Sequence, residues 1–366
     1  MLPEHDAGSR PALALVIYSL YGGGAERVVS VLSGYLARSH QVDIIVFDAS
    51  APAYAYQGNL INLDCPTRGQ GGMAKAFNLL RRSLRLRRQF RHKTYAGIYA
   101  FMESANFAAI LAAPGQVVAS VRITPEVQSG FTRFLMRRLY PHARQVVAVS
   151  RGIRDMLAED MGLANLAHIP NPLDFERIHA QGAQPFTVPA RPVRPYILAA
   201  GRLHHDKGFD VLIAAYARCR GLQGTDLVIL GEGMERAALE QQITALGLNG
   251  RVQLPGQTGN PFVWMQHATF FVLSSRFEGY PNVLIEALAC GCPVIATNCP
   301  TGPYEILQGG GYGVLVESGN PVALAQGMES LIADGVERER LRAAAKTAVR
   351  HLTLEQVGEQ WIRLGA

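Results

Sequence analysis

Two glutamates, Glu278 and Glu286, lie eight positions apart in the stretch FEGYPNVLIEALACGCPVIA, one in a glycine-proline loop and one in an apolar segment. Pro281, between them, is favoured at the start of a helix, because the N–H that proline lacks would have no partner there. We therefore predict a helix over residues 282–289 that is stopped by Gly291 and followed by a buried strand.

The start of this predicted helix is a candidate anion site. The first N–H groups of a helix have no partner within it and attract negative charge. Here they belong to Asn282, Val283 and Leu284. In the alternative interpretation, Glu278 is a solvated loop residue and Glu286 a surface residue of an amphipathic helix.

A second stretch, AAGRLHHDKGFDVLI, places two cations between a strand and a helix. The strand ends at Gly201, Arg202 and Lys207 are five positions apart, and Gly208 leads into the helix. A guanidinium fork and an ammonium point charge together suit a diphosphate. Ordinary solvated loop charges are the alternative.

The stretch LGEGMERAAL has Gly231 and Gly233 on either side of Glu232, between a strand and a helix. The glycines allow a ligand to approach the backbone closely. Glu232 or Arg236 could contact such a ligand, although a plain tight turn explains the pattern equally well.

The first predicted strand is followed by a glycine loop in SLYGGGAERVV, formed by Gly22, Gly23 and Gly24. A dinucleotide site requires G-x-G-x-x-G, and its third glycine is replaced here by Arg27. The broken pattern disfavours a nicotinamide dehydrogenase. The loop would still let a phosphate or a sugar approach the backbone.

A basic helix is predicted in NLLRRSLRLRRQFRHK, where Leu80, Leu84 and Phe90 share a broad face. Its cations are Arg81, Arg82, Arg85, Arg87, Arg88, Arg91 and Lys93. Basic amphipathic helices favour anionic membrane surfaces. Nucleic acid is disfavoured because no aromatic stacking set accompanies the cations. A solvated helix that covers its own domain is the remaining alternative.

Length and patterning predict two domains. The 366 residues are 48% hydrophobic and 17% charged, enough for two cores. Apolar runs alternate with helical patterns twice, which predicts two doubly wound Rossmann-like α/β domains that face each other across a cleft. We place them at residues 1–172 and 195–352, joined by a proline-rich linker at 173–194. A last helix, 353–366, would dock against the front domain.

Charge and cysteine content limit the surroundings of the chain. Residues 1–171 hold 19 Lys+Arg and 11 Asp+Glu (+8), and the remainder hold 16 and 18 (−2), which suggests an anionic partner for the front half. The five cysteines show no metal-ligand spacing and are interpreted as reduced thiols. Acidic residues in MLPEHDAGSR argue against a signal peptide, and no apolar run is long enough to predict a transmembrane helix.

Six stretches, in order, resemble the retaining family-4 glycosyltransferases of GT-B architecture: GGGAERV, IPNPLD, GRLHHDKG, LGEGMER, FEGYPNVLIEALACGCPVIAT and CPTGPYEIL. They span almost the whole chain. Within that family, the chain looks most similar to bacterial enzymes that add sugars to lipid-linked oligosaccharides or exopolysaccharide units.

The resemblance implies roles for individual residues. Glu278 would face the donor hexose and Glu286 the nucleoside ribose, while Arg202 and Lys207 would neutralise the departing diphosphate. The implied donor-binding residues are Gly201, Glu232, Val252, whose backbone would read the base, Gly279, Tyr280, Pro281, Asn282, Val283, Leu284 and Glu286. We predict that the glycine loop of Gly22, Gly23 and Gly24 contacts the acceptor or a phosphate. The basic helix, through Arg81, Arg85 and Arg88, would hold either the bilayer surface or the acceptor diphosphate. Arg122 stands in place of a histidine common in the family and would contact a phosphate or the acceptor.

The implied activity is a metal-independent, retaining transfer of a hexose or N-acetylhexosamine from a UDP-sugar to a polyprenyl-diphosphate-linked saccharide. The leaving phosphate would take the acceptor proton, so that no protein base and no cofactor are needed. We expect the protein at the cytoplasmic face of the membrane, in contact with anionic lipid and not with nucleic acid. The alternatives are a nucleotide-sugar epimerase of the same architecture and a basic membrane- or nucleic-acid-binding module without catalysis.

Overall fold

The structure is a computed structural model that describes residues 10–49, 52–69, 71–186 and 192–365. The chain divides into two compact units. The first runs to residue 172 and also includes the chain from residue 352 onward, and the second covers residues 173–351. The acidic start of the chain, which we used against a signal peptide, falls mostly in residues 1–9, and these lie outside the described residues. So do residues 187–191 of the predicted linker and residue 366.

The first unit is a parallel α/β unit. Its strands are β1 (Ala12–Ile17), β2 (Gln41–Val46), β3 (Asn59–Asn62), β4 (Gly97–Phe101), β5 (Val117–Val121), β6 (Gln145–Ala148) and β7 (Leu166–His168). Its helices are α1 (Gly24–Leu36), α2 (Gly72–His92), α3 (Glu103–Ala112), α4 (Gly130–Leu139), α5 (Arg151–Met161) and α14 (Leu354–Gly365). The strand order is β3-β2-β1-β4-β5-β6-β7.

The second unit repeats this plan with six strands. These are β8 (Tyr196–Ala200), β9 (Asp226–Leu230), β10 (Val252–Gly256), β11 (Phe271–Leu273), β12 (Val294–Asn298) and β13 (Val314–Glu317), in the order β10-β9-β8-β11-β12-β13. The helices are α6 (Phe175–Gly182), α7 (Phe209–Arg218), α8 (Arg236–Ala245), α9 (Pro261–His267), α10 (Asn282–Ala289), α11 (Pro303–Ile306), α12 (Pro321–Ala333) and α13 (Gly335–Val349).

Continuous apolar runs produce the parallel sheets. In β1, Leu15 is fully buried and pairs with Ile44 of β2 on one side and Tyr99 of β4 on the other. Strands buried on both faces read as unbroken apolar segments, because helices cover each face of a parallel sheet. All the strand pairings in the described residues are parallel, so the prediction of two doubly wound α/β units is confirmed.

Helix α14 packs in the first unit, where it contacts α1 and β4. Its Trp361 is 1% exposed and lies against Tyr99 and Phe101, with ring centroids 5.8 and 5.3 Å away. The Tyr99 hydroxyl donates a hydrogen bond of 3.0 Å to the Trp361 carbonyl oxygen. These contacts lie where the last helix was predicted to dock.

The segment predicted as a linker, 173–194, contains helix α6. Asp174 caps it, since the Asp174 carboxylate accepts a hydrogen bond of 2.9 Å from the Arg177 N–H. Ile178 is 4% exposed, and the helix contacts α9. The prolines flank this helix instead of interrupting it. The proline-rich composition therefore predicted a linker where a packed helix lies.

In the described part of the chain, no helix is both long and apolar enough to cross a membrane. All five cysteines are free thiols. Burial raises the pKa of the Cys292 thiol to about 12.

Candidate functional site

The loop from β8 to α7 carries Arg202 and Lys207, the two predicted cations, and packs against the segment that follows β11. Gly208 has a φ of 62°, and a Cβ there would lie 2.2 Å from the Ser274 carbonyl oxygen. Only glycine therefore lets this loop pass so close to the segment after β11. The Ser274 hydroxyl donates a hydrogen bond of 2.8 Å to the Lys207 carbonyl oxygen, which holds the Lys207 backbone at the carboxyl edge of the sheet.

Lys207 and Glu278, predicted from separate stretches, are in direct contact. The Lys207 Nζ lies 2.6 Å from Glu278 Oε1, and the Ser275 hydroxyl donates to the same oxygen at 2.7 Å. The Glu278 side chain is 8% exposed and that of Lys207 28%. The alternative in which Glu278 is a solvated loop residue is therefore wrong, because the carboxylate is buried against its partners.

Buried hydroxyls fix the backbone around Glu278. Thr297 donates to the Ser275 carbonyl oxygen at 2.6 Å, and Thr301 donates to the Glu278 carbonyl oxygen. Thr297 and Thr301 are 0% and 3% exposed. These residues were not predicted, because hydroxyls within or beside apolar runs do not indicate a site.

An ion pair also joins the segment after β11 to the start of α7. The guanidinium of Arg276 makes two hydrogen bonds with the Asp210 carboxylate, at 2.8 and 2.7 Å. These bonds lower the pKa of Asp210. The Arg276 N–H also donates to the Asp206 carbonyl oxygen at 2.8 Å. Arg276 therefore fixes the cation loop, and sequence reasoning missed it.

Arg202 differs from Lys207 in having no partner within the described residues. Its side chain is exposed, and no hydrogen bond or ion pair to it is found in the part of the chain that the structure describes. Because β8 ends at Ala200, the Arg202 guanidinium follows the carboxyl end of a central strand, where open α/β sheets bind ligands.

Helix α10 covers Asn282–Ala289, as predicted. Its first turn differs in one detail, since the Leu284 N–H donates to the Pro281 carbonyl oxygen at 3.1 Å. Leu284 therefore cannot serve as the third donor of the predicted anion site. Glu286 is 4% exposed, so its assignment to a polar helix surface is wrong.

The predicted cap over the donor is compact. Gly279, Tyr280 and Pro281 are all buried, and Asn282 and Val283 are half-buried. Tyr280 is 7% exposed. The structure thus places the segment from Glu278 to Glu286 as one packed loop and helix next to the cation loop.

Glu232 lies beside this region but is engaged by its neighbour. The Arg236 guanidinium donates to both Glu232 carboxylate oxygens, at 2.7 and 2.8 Å, and these bonds lower the pKa of Glu232. The Leu203 N–H donates to the Glu232 carbonyl oxygen at 2.9 Å, which ties the β9–α8 loop to the β8–α7 loop.

Val252 is not brought to this edge. It opens β10 and pairs with Leu227, near the amino end of the sheet. Its side chain is 6% exposed in the core, and its N–H donates to the Leu248 carbonyl oxygen at 3.1 Å. The carboxyl end of β10 is Gly256, four residues further on. The structure therefore does not support a contact between Val252 and a ligand at the carboxyl edge.

In the first unit, Gly22, Gly23 and Gly24 lead into α1, but a carboxylate covers the helix start. A Cβ on Gly23 would lie 2.2 Å from Glu26 Oε2, so the Glu26 side chain folds back over the first turn. An acidic side chain is stabilised at that end of a helix. The chain's own carboxylate thus occupies the place where a phosphate was expected.

Arg122 follows β5 directly and is 8% exposed. It donates to Ser120 Oγ at 3.3 Å and to Asn171 Oδ1, and its guanidinium lies over the Phe101 ring at 5.9 Å. Burial lowers the pKa of Arg122 to about 10, and the charge of Glu26 opposes that shift. No carboxylate forms an ion pair with it among the described residues, although its guanidinium is buried.

Helix α2 buries its polar side. Arg82 is 6% exposed, donates to Thr67 Oγ1 at 2.8 Å, and lies over the Tyr18 ring at 4.9 Å. The buried residues of the helix are Asn78, Arg82, Ser83 and Leu86. Its exposed apolar residues are Met73, Phe77, Leu80 and Leu84, and we call them the α2 apolar stripe.

The predicted basic contacts on α2 fall into two groups. Arg81 is half-buried and donates to the Asp64 carbonyl oxygen at 3.2 Å, whereas Arg85 and Arg88 are exposed. Phe90, predicted to share a face with Leu80, is instead half-buried and packs edge-on against Tyr95, with ring centroids 5.9 Å apart.

No cluster of three or more His, Cys, Asp or Glu side chains that could hold a metal ion occurs in the described ranges.

Solved structures share this fold along nearly the whole chain. A glycosyltransferase from Rickettsia africae covers 97% of this chain and 98% of its own, with a TM-score of 0.78 and 18% identity. HepE of Anabaena, solved with UDP, covers 96% and 98%, with a TM-score of 0.74 and 21% identity. The fold is that of the GT-B glycosyltransferases.

Sequence comparison defines the family. The family profile described as "Glycosyltransferase Family 4" matches residues 22–177, and "Glycosyl transferases group 1" matches residues 182–348. An N-acetylgalactosamine-N,N'-diacetylbacillosaminyl-diphospho-undecaprenol 4-alpha-N-acetylgalactosaminyltransferase from Campylobacter jejuni is 30% identical over 353 residues, 92% of this chain and 94% of that protein. A second Campylobacter jejuni transferase, named for an N-acetylgalactosamine-bearing undecaprenol diphosphate, is 25% identical over 370 residues, covering 96% and 97%. The chain belongs to the family-4 glycosyltransferases of GT-B fold and is a glycosyltransferase.

Proposed function

We propose that the second unit binds a UDP-sugar, with Arg202 and Lys207 on the diphosphate and Glu278 on the sugar. The observation that carries this proposal is the contact of Lys207 with Glu278, at the carboxyl edge of β8 and before the start of α10. The same loop holds Arg202, whose side chain has no partner within the described residues. The N–H groups of Asn282 and Val283 would add to the anion site, and Glu286 would contact the ribose. UDP as the nucleotide is supported by the solved HepE complex.

The first unit would bind the acceptor, which we propose to be a saccharide on a polyprenyl diphosphate. The two Campylobacter jejuni relatives are named for undecaprenol-diphosphate acceptors, which supports this substrate class. Arg122 would contact an acceptor phosphate, since its buried guanidinium has no carboxylate in contact within the described residues. Because Glu26 covers the start of α1, Gly22, Gly23 and Gly24 would meet sugar hydroxyls.

The reaction proposed is transfer with retention of the anomeric configuration, without a metal. Arg202 and Lys207 would offset the negative charge that develops on the leaving diphosphate. Such preorganised charges act strongly in a site that excludes water. The leaving phosphate oxygen would take the proton of the acceptor hydroxyl, so that no side chain has to act as a base.

We also propose peripheral attachment to the cytoplasmic face of the membrane through α2. The α2 apolar stripe is exposed, and Arg85 and Arg88 are exposed beside it. Arg82 lies level with Tyr18, which directly follows β1. The part of α2 before Arg82 is about 15 Å long and carries Met73, Phe77 and Leu80 of that stripe. Apolar residues flanked by cations are typical of helices that lie in a lipid surface.

The deciding experiment incubates the purified protein with a panel of UDP-sugars and a synthetic polyprenyl-diphosphate saccharide. Mass spectrometry would show the addition of one or more sugars, and NMR of the product would give the anomeric configuration. Activity in excess EDTA is expected to match activity without it. Conversion of a UDP-sugar in the absence of acceptor would instead indicate an epimerase, and failure to bind UDP would exclude the donor site proposed here.

A further inference from the structure

One oxygen of Glu278 receives two hydrogen bonds. Lys207 Nζ lies 2.6 Å from Oε1, and Ser275 Oγ lies 2.7 Å from the same atom. Within the described residues, no hydrogen bond reaches Oε2. The Glu278 side chain is 8% exposed. Water therefore has little access to replace a lost donor, and a buried carboxylate that loses one is destabilised.

The same lysine has two competing partners if the proposed donor site is right. Its ammonium can donate to more than one acceptor. Its charge, however, is already balanced by Glu278 in the donor-free protein. A diphosphate gains the full attraction of Lys207 only as the ammonium moves away from the carboxylate. Glu278 then depends on the Ser275 hydroxyl, which is 1% exposed and fixed through the Thr297 bond to its carbonyl oxygen.

We propose that Ser275 is a positioning residue for Glu278, which keeps the carboxylate in place when the donor diphosphate draws Lys207 away. A hydroxyl of the donor sugar then donates to the carboxylate in place of the lysine. UDP alone draws the lysine away without supplying that hydroxyl. The protein therefore grips a UDP-sugar more firmly than UDP, which favours release of the product. This inference rests on the proposed function of the site.

A double-mutant cycle tests the competition for Lys207. The dissociation constant of UDP would be measured by calorimetry for the wild type, Lys207→Ala, Glu278→Gln and the double variant. Glu278→Gln is expected to tighten UDP binding, because it frees the lysine. Lys207→Ala is then expected to weaken binding by about threefold more in the Glu278→Gln background than in the wild type. Additive effects would overturn the competition.

Glu339→Gln is the matched control for the loss of one negative charge, because Glu339 is a 76%-exposed carboxylate of the same unit that pairs with Arg342. It is expected to leave the affinity for UDP unchanged. An equal gain in affinity for UDP in Glu278→Gln and Glu339→Gln would show that the effect comes from net charge, and it would overturn the inference. If the wild type binds no UDP at all, the proposed function itself fails.

Ser275→Ala tests the positioning role directly. The variant is expected to retain UDP binding, which also reports that it folds, while its kcat for sugar transfer falls by about tenfold or more. Its preference for the UDP-sugar that it transfers over UDP alone should shrink. Ser275→Thr, which keeps a hydroxyl, is expected to recover part of the kcat and part of the preference for the UDP-sugar. Ser318→Ala removes a hydroxyl that donates at 3.3 Å to the carbonyl oxygen of Ser275. It should leave the preference intact. An unchanged kcat and preference in Ser275→Ala would refute the role.

Discussion

Removal of the Lys207 side chain takes away both a cation of the proposed diphosphate site and the ion pair of a buried carboxylate. Lys207→Ala is therefore expected to lower the transfer rate by about 10²–10³, the cost typical of losing one preorganised charge contact. Ser275 still donates to Glu278 at 2.7 Å, so the protein should fold. Steady-state kinetics with the full donor and acceptor, alongside a circular dichroism spectrum, measure both effects.

The control for Lys207→Ala is Lys346→Ala, which removes an exposed lysine of α13 in the same unit. It should keep the wild-type rate. Near-normal turnover in Lys207→Ala would contradict the assignment of this lysine to the phosphate.

Glu103 gives the first unit a pH-dependent stability. Its Oε1 is buried and has no hydrogen-bond partner among the described residues, and burial raises the pKa of Glu103 from 4.5 to about 7. Between these two values, the folded protein holds a proton that the unfolded chain has lost. The free energy of unfolding is thus expected to fall by about 2–3 kcal/mol as the pH rises from 4.5 to 7.

Urea unfolding at several pH values checks this expectation through Glu103→Gln, which is neutral at every pH. The variant should lose this part of the pH dependence and be more stable than the wild type above pH 7. Glu126→Gln, at an exposed carboxylate of the same unit, should retain the wild-type profile. A wild-type profile in Glu103→Gln would show that the carboxyl is not a buried acid of raised pKa.

At the scale of residues, the sequence pointed to individual charged groups but not to the contacts between them. The cation loop and the Glu278 loop were recognised separately, because glycines, prolines and charges mark the ends of strands and helices. Their contact depends on the tertiary packing of β8 against β11, which local patterns do not encode. The Leu284 N–H was lost to a bond with Pro281, a detail of the first helical turn that composition cannot show.

At the scale of elements, the α2 apolar stripe predicts binding of the protein to a lipid surface. Phe77→Ser and Leu80→Ser together should weaken binding to vesicles with anionic lipid, because they remove apolar surface that is exposed to solvent. Phe77 is 59% exposed and Leu80 is 58% exposed. The melting temperature should stay within a few degrees, because neither side chain packs in the core. Flotation of the protein with vesicles, at low and high salt, measures the binding.

The matched comparison is Arg82→Ala, on the opposite side of the same helix. Arg82 bonds the Cys65 carbonyl oxygen and Thr67 Oγ1, at 3.2 and 2.8 Å. Its loss should lower the free energy of unfolding by about 2–3 kcal/mol. Vesicle binding that ignores lipid charge and salt, or that survives the Phe77 and Leu80 changes, would exclude the membrane role of the α2 apolar stripe.

Elements with strong periodicity were predictable, and α10 was placed to the residue. Helix α6 was missed because its short apolar side, Ile178, is surrounded by prolines and polar residues. Strands β3 and β7 were missed because they are edge strands of four and three residues without fully buried positions. In α2 the helix was predicted but the burial of Arg82 was not, since a buried arginine on a polar inner side departs from the usual amphipathic pattern.

On the scale of the whole molecule, the first unit depends on residues from the far end of the chain. Trp361 is 1% exposed, so Trp361→Ala should lower the free energy of unfolding of the first unit by about 3–5 kcal/mol. Urea unfolding followed by hydrogen exchange of β4 measures this cost. Glu359→Ala, at an exposed position of the same helix, should change little. An unaltered exchange rate in Trp361→Ala would show that α14 is dispensable.

The return of α14 to the first unit also has a consequence during translation. Every other helix and strand described in that unit has been synthesised once β7 has been made, yet α14 begins only at Leu354. At about 5–20 residues per second, the ribosome takes about 10–40 s to add the intervening segment. Throughout that interval the nascent chain leaves the apolar side of α1 and β4 uncovered, which is the surface that a chaperone at the exit tunnel would bind.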